Sequence, residues 1–179
     1  MDTPRSYSQV GQDLWVLEKL AHLDPRRCSF LDIGCNHPVE LSNTCALERL
    51  GWSGWLVDAD QVCFDLCTAQ RKGVTVLADA TKLRLASLPT IEGFSPLAID
   101  YLSLDIDHGT LDALRNLLSQ GLAFKVATVE HDAYRFGEEL RAGERQLLIS
   151  AGYVMERKDV GSPEWPFEDW WVHPSLKGV

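Results

Sequence analysis

The chain has 179 residues, 45% of them apolar and 24% charged, and a formal net charge of −9. That length suits one domain with a full core, and no apolar run approaches the roughly 20 residues needed to cross a bilayer, so no membrane partner is expected. The acidity argues against nucleic acid as the main partner, because Lys and Arg gather only in short pairs such as Arg26-Arg27 and Arg71-Lys72.

Residues 1–24 are expected to form an N-terminal lid or helix segment of the single domain 1–179, with an amphipathic helix near 9–22. The opening "MDTPRSYSQ" has no apolar signal core, which makes the cytoplasm the expected compartment. Strand and helix patterns then alternate. "CSFLDI" (28–33) is a buried-strand run, "ELSNTCALERLG" (40–51) a helix stopping at Gly51, and "GWLVDA" (54–59) a second strand. Asp60 can cap a helix over 61–71 with Val62, Leu66 and Ala69 on one face. "VTVLAD" (74–79), "IDYLSLDI" (99–106) and "KVATVEH" (125–131) are further strands, with helices over 110–119 and 138–151. "YVMERKD" (153–159) and "EDWWVH" (168–173) can close the chain as an antiparallel hairpin. This alternation predicts an α/β fold, a mostly parallel seven-stranded sheet with helices on both faces.

Five cysteines without CxxC spacing are read as buried small hydrophobes. Cys63 and Cys67 stand four apart on a predicted helix, but no second ligand pair follows, so a metal is not expected there.

The residues that end the predicted strands are acidic: Asp32, Asp58 with Asp60, Asp79, Asp105 with Asp107, and Glu130 followed by His131. Any one could cap a helix. Together, on the ligand-binding edge of an open α/β sheet, they make a cleft rich in hydrogen-bond acceptors. A pyrophosphate asks instead for amides, a helix N-terminus and G-x-G-x-x-G. The turn here, Gly34-Cys35-Asn36-His37-Pro38, has one glycine. An NAD(P)-dependent oxidoreductase is therefore the less favoured alternative. S-adenosylmethionine has no phosphate, and its ammonium and ribose hydroxyls are donors, so it suits the acceptors better.

The segments "SYSQVGQDLWV" (6–16), "FLDIGCNHPVELSNTCALERLGWSGWLVDAD" (30–60), "IDYLSLDID" (99–107) and "ATVEHDAYRFG" (127–137) resemble the FkbM-type methyltransferases over about residues 7–155. The resemblance implies a Rossmann-like class I methyltransferase fold and S-adenosylmethionine as cofactor. It implies cofactor contacts from Asp32, Gly34, Cys35 and Asn36, from Ser42, Asn43 and Thr44, from Asp58-Ala59 at the ribose, from Asp79-Ala80 at the adenine, and from Asp105. Cys35 replaces the family's usual Ala, and Asp107-His108 its usual Glu-Gly.

The expected reaction is O-methylation of a small-molecule or saccharide hydroxyl. His131 is the candidate base, with Asp105 beside it and His37 as a second candidate. By analogy with related O-methyltransferases, Asp105, Glu130 and His131 could instead hold Mg²⁺. Trp165, Trp170 and Trp171 can wall an acceptor pocket or form the core of the terminal hairpin. A second copy of the chain is a further expected partner. A non-catalytic S-adenosylmethionine-binding module is the other alternative.

Overall fold

In the computed structural model, residues 5–176 are described. The ends of the expected domain, 1–4 and 177–179, lie outside them. The strands are β1 (Ser29–Ile33), β2 (Ser53–Asp58), β3 (Val74–Leu77), β4 (Ala98–Leu104), β5 (Ala123–Glu130), β6 (Val154–Gly161) and β7 (Pro166–Val172). The helices are α1 (Gln12–Lys19), α2 (Cys45–Arg49), α3 (Gln61–Gln70), α4 (Thr110–Ser119), α5 (Ala133–Phe136) and α6 (Glu138–Ser150). The strands form one sheet in the order β3-β2-β1-β4-β5-β7-β6. β7 runs antiparallel to both β5 and β6, so the expected terminal hairpin is present and its second strand inserts against β5. The dinucleotide-binding order 3-2-1-4-5-6 has no such inserted strand. Among the described residues no helix is long and apolar enough to cross a membrane.

Every residue of β1 is buried, as a central parallel strand covered on both faces requires. Side chains alternate across the sheet. Leu31, Val57, Leu102, Ala127 and Trp171 join the core under α4 and α6. Their neighbours Phe30, Leu56, Tyr101, Val126 and Trp170 join the core under α1. Trp170 and Trp171 are thus core residues on opposite faces, and α1 is docked by the Trp15–Trp170 contact at 4.8 Å. Trp165 is 57% exposed.

Three expectations need correction. The helix expected over 40–51 shrinks to α2, because residues 37–44 spend their polar groups on turns: His37 Nδ1 accepts the amides of Val39 and Glu40, and Ser42 Oγ accepts that of Cys45. Asp60 does cap α3, accepting from Val62 N and Cys63 N. Its expected apolar face, however, points to solvent, with Val62 66% exposed, and Cys67 alone is buried. α5, between β5 and α6, was not expected.

Candidate functional site

The turn after β1 is pressed between the ends of β2 and β4. Gly34 N and Cys35 N donate to Val57 O, and Asp105 N donates to Ile33 O. Gly34 has φ +81°, and a Cβ there would sit 1.7 Å from the carbonyl oxygen of Asp105. The single glycine is demanded by the protein's own backbone before any ligand arrives.

Two cavities meet at this glycine. One, of about 220 Å³, is lined by residues including Val57, Asp58, Ala59, Asp79, Ala80 and Ile106. The other, of about 300 Å³, is lined by residues including Gln9, Asp32, Cys35, Asn36, Asn43 and Asp105. Jointly they fall within the roughly 300–1,000 Å³ of small-molecule sites. The expected cofactor residues therefore gather at one place, except that Thr44 lines neither cavity.

Their roles differ. Thr44 Oγ1 donates to Asp32 at 2.5 Å and accepts from Arg71 Nη2 at 3.0 Å. Arg71 is itself buried and also donates to Ser42 Oγ, to Pro38 O and to Glu48. Burial raises the Asp32 pKa against the pull of Thr44 and Arg71. Ser42, Thr44 and Asp32 thus brace the turn. Asn43 differs: its amide donates to Ser103 Oγ at 3.1 Å, while its buried Oδ1 has no partner among the described residues. That oxygen belongs to a residue of the larger cavity, which suits a donor such as an ammonium. Asp58 accepts from Asn36 N and Asp60 N at 2.9 Å each, and a carboxylate so held keeps lone pairs for a further donor. Asp79 caps its own turn, accepting from Thr81 and Lys82, and these bonds hold its pKa down at about 2. It rims the smaller cavity as a capping acid.

His131 is not where the sequence put it. Neighbours in a strand point to opposite faces, so Glu130 and His131 cannot both face the cleft. The His131 ring is buried on the α6 side. Its Nδ1 accepts Ala133 N–H at 3.2 Å, which places the proton on Nε2, 3.8 Å from Asp159 and 3.9 Å from Asp169. Burial lowers its pKa. It lines neither cavity, and Asp105, Glu130 and His131 do not converge as a metal triad. The acid beside Asp105 is Glu130, which itself lines neither cavity. Burial raises its pKa, and so does its hydrogen bond with Asp105, whose own pKa burial also raises. Glu168, opposite Glu130 in the β5–β7 register, accepts from Trp170 Nε1 at 2.7 Å, and burial pushes its pKa up to about 8.

A third cavity, of about 500 Å³, adjoins at Gln9 and is lined by Val10, Tyr134, Ser162, Trp165 and Phe167 as well. Tyr134 and Trp165 stand 5.4 Å apart at a 60° tilt. The N-terminal segment that brings Gln9 there is tied down by the buried Asp13. That carboxylate accepts from Ser6 Oγ, Tyr7 N and Ser8 Oγ, each at 2.7 Å. Arg71, Tyr134, Phe167 and the cavity-lining His108 were missed in the sequence. Arg71 was visible only as half of a basic pair, and no local spacing marks the others.

No protein-family model and no curated protein matches the chain. Solved structures match it in fold. A TehB-like S-adenosylmethionine-dependent methyltransferase from Corynebacterium glutamicum matches with a TM-score of 0.61 at 16% identity, over 90% of this chain and 87% of that one. Magnesium protoporphyrin IX methyltransferase from Synechocystis, solved with bound S-adenosylmethionine, matches with a TM-score of 0.63 at 15% identity, over 90% and 77%. A human methyltransferase 10 domain-containing protein matches with a TM-score of 0.54 at 14% identity, over 96% and 87%. At such identities the likeness is one of fold. The architecture is the Rossmann-like class I methyltransferase fold, as the sequence predicted.

Proposed function

We propose that the chain is an S-adenosylmethionine-dependent methyltransferase of the FkbM type, acting on a hydroxyl of a small molecule or saccharide. The observation that carries this is the acceptor-rich double cavity meeting at Gly34, with the unpartnered Asn43 Oδ1 in its larger half. The fold neighbours, one of them bound to S-adenosylmethionine, support the same reading.

S-adenosylmethionine, when bound, supplies an electrophilic methyl group for in-line transfer. Asp58 would accept from the ribose hydroxyls. Ala59, Ala80 and Ile106 would flank the adenine, and Asn43 with Asp105 would receive the ammonium. Gln9, at the border of the second and third cavities, would close the cleft over the reacting atoms. Tyr134, Trp165 and Phe167 would position the acceptor, its ring against theirs. The Asp105–Glu130 pair would be the proton acceptor for an acceptor hydroxyl. Mg²⁺ on Asp105, Glu130 and His131 would need the imidazole beside the two acids, and the ring is instead buried next to Asp159 and Asp169.

Calorimetric titration tests the reading. S-adenosylmethionine and S-adenosylhomocysteine should bind in the micromolar range, and NADH should give no heat. Asp58→Ala should weaken both by roughly 10–100-fold, the scale of hydrogen bonds to a charged group. Unchanged affinity in that variant would remove the ribose from Asp58. Tight binding of NADH with none of S-adenosylhomocysteine would replace the methyltransferase with the oxidoreductase.

A further inference from the structure

All five cysteines are free, and two of them touch. Cys35 Sγ, in the turn after β1, lies 3.8 Å from Cys67 Sγ on α3. Cys67 is fully buried and its sulfur also meets the carbonyl oxygen of Asn36 at 3.5 Å. Cys35 lines the 300 Å³ cavity, which gives a small oxidant a route to the pair. The other thiols have different company. That of Cys28 donates to Asp24 O at 3.3 Å, and that of Cys63 to Asn36 Oδ1 at 3.7 Å. The hydrogen bond from Cys35 lowers the Cys67 pKa, and nearby Arg71 works in the same direction, so Cys67 is the better thiolate of the two.

We propose that Cys35 and Cys67 are a modification site at which hydrogen peroxide closes an intramolecular disulfide and thereby loosens the turn that holds the cofactor. In the first step one sulfur attacks a peroxide oxygen, the O–O bond breaks, and water leaves with a sulfenic acid behind it. The second sulfur then attacks that sulfur, the S–O bond breaks, and a second water leaves. Two thiols and one peroxide give one disulfide and two waters, and a dithiol reductant reverses it.

The geometry fixes where the strain goes. The sulfurs must close from 3.8 Å to about 2.05 Å. Cys67 is held inside α3 and Gly34 is pinned against Asp105 O, so the movement falls on Cys35 and Asn36. Asn36 already sits at φ +46° and donates its amide to Asp58 at 2.9 Å. Closing the disulfide disturbs that bond, and with it the carboxylate assigned to the ribose. The effect on ligand binding rests on the methyltransferase reading, whereas the chemistry of the pair does not.

The test treats the full chain with hydrogen peroxide and maps the product by mass spectrometry. The expected product has lost two hydrogens, with one peptide joining residues 35 and 67. Oxidised protein should bind S-adenosylhomocysteine at least tenfold more weakly than reduced protein, with dithiothreitol restoring the affinity. Cys67→Ala should keep its affinity through the same treatment, and Cys28→Ala should behave as wild type. A link through Cys63 or Cys45, or sulfinic and sulfonic acids alone, would overturn the site. A 35–67 link that leaves the affinity unchanged would overturn its effect on the turn. If reduced protein binds no S-adenosylhomocysteine, the methyltransferase reading falls while the peptide map still decides the disulfide.

Discussion

Gly34 carries one of the tightest constraints in the chain. Its φ of +81° and the 1.7 Å gap between a hypothetical Cβ and Asp105 O leave a side chain nowhere to go. Gly34→Ala must push the end of β4 away from β1, and we expect it to destabilise the protein by about 2 kcal/mol or more, lowering Tm by about 4–8 °C. A melting temperature within a degree of wild type would mean that the two backbones do not meet there. The same residue shows what a sequence can reveal at this scale. A lone glycine after an acidic strand end marks a close backbone approach, and the absence of further glycines argues against a phosphate. It does not say which acids remain free. Asp32, Asp58 and Asp79 look alike in the chain. Yet Asp32 braces Thr44, Asp79 caps its own turn, and Asp58 keeps acceptor capacity toward the cavity. The brace on Asp32 runs through Thr44 to Arg71, far away in sequence, whereas Asp79 is held by Thr81 and Lys82 beside it.

Among the elements, β1 to β5 were legible because each is a short apolar run that ends in or runs into an acid. Helix faces were less so. Val62 and Leu66 look like the inner face of α3, but that helix lies on the edge strand β3 and buries only Cys67. His131 was misplaced for a related reason: placing two adjacent residues in one site ignored the two-residue period of β5. The face it does occupy, against α6, holds Asp169, Arg145, Asp159 and Glu144. Register shifts in β6 and a φ of +54° at Asp159 turn that carboxylate toward Arg141 and Arg145. Glu144 is buried, its Oε1 has no partner among the described residues, and burial, with Asp169 adding to it, pushes its pKa up to about 9. Its folded pKa lies above the ordinary value near 4.5, so the folded state keeps a proton that the unfolded chain gives up. This contribution to stability is full below about pH 4.5 and is lost as pH rises toward about 9. Glu144→Met should therefore stabilise the protein on the order of 1–3 kcal/mol at pH 8, and less at pH 5. Denaturant melts at the two pH values check this, and an equal gain at both would show that Glu144 ionises freely in the fold.

At the scale of the whole molecule, one sheet edge collects the chemistry. The carboxyl ends of β1, β2 and β4 border the two cofactor-sized cavities, β5 and β7 add Glu130 and Glu168, and the N-terminal segment held by Asp13 lays Gln9 across the junction to the aromatic cavity. The antiparallel β7 makes this architecture unlike a dinucleotide-binding sheet. It also places Phe167 and Trp165 beside Tyr134, where an acceptor would sit. The sequence showed the edge and its acidity. Of the aromatic wall it offered Trp165 together with Trp170 and Trp171, but not Tyr134, which stands 31 residues from Trp165 (165 − 134) and meets it only through the fold. The most direct measurement is a crystal structure of the chain with S-adenosylhomocysteine. Adenosine is expected between Asp58 and Asp79, with the amino-acid end against Asn43 and Asp105. S-adenosylhomocysteine bound elsewhere, or absent from crystals grown at saturating concentration, would contradict it.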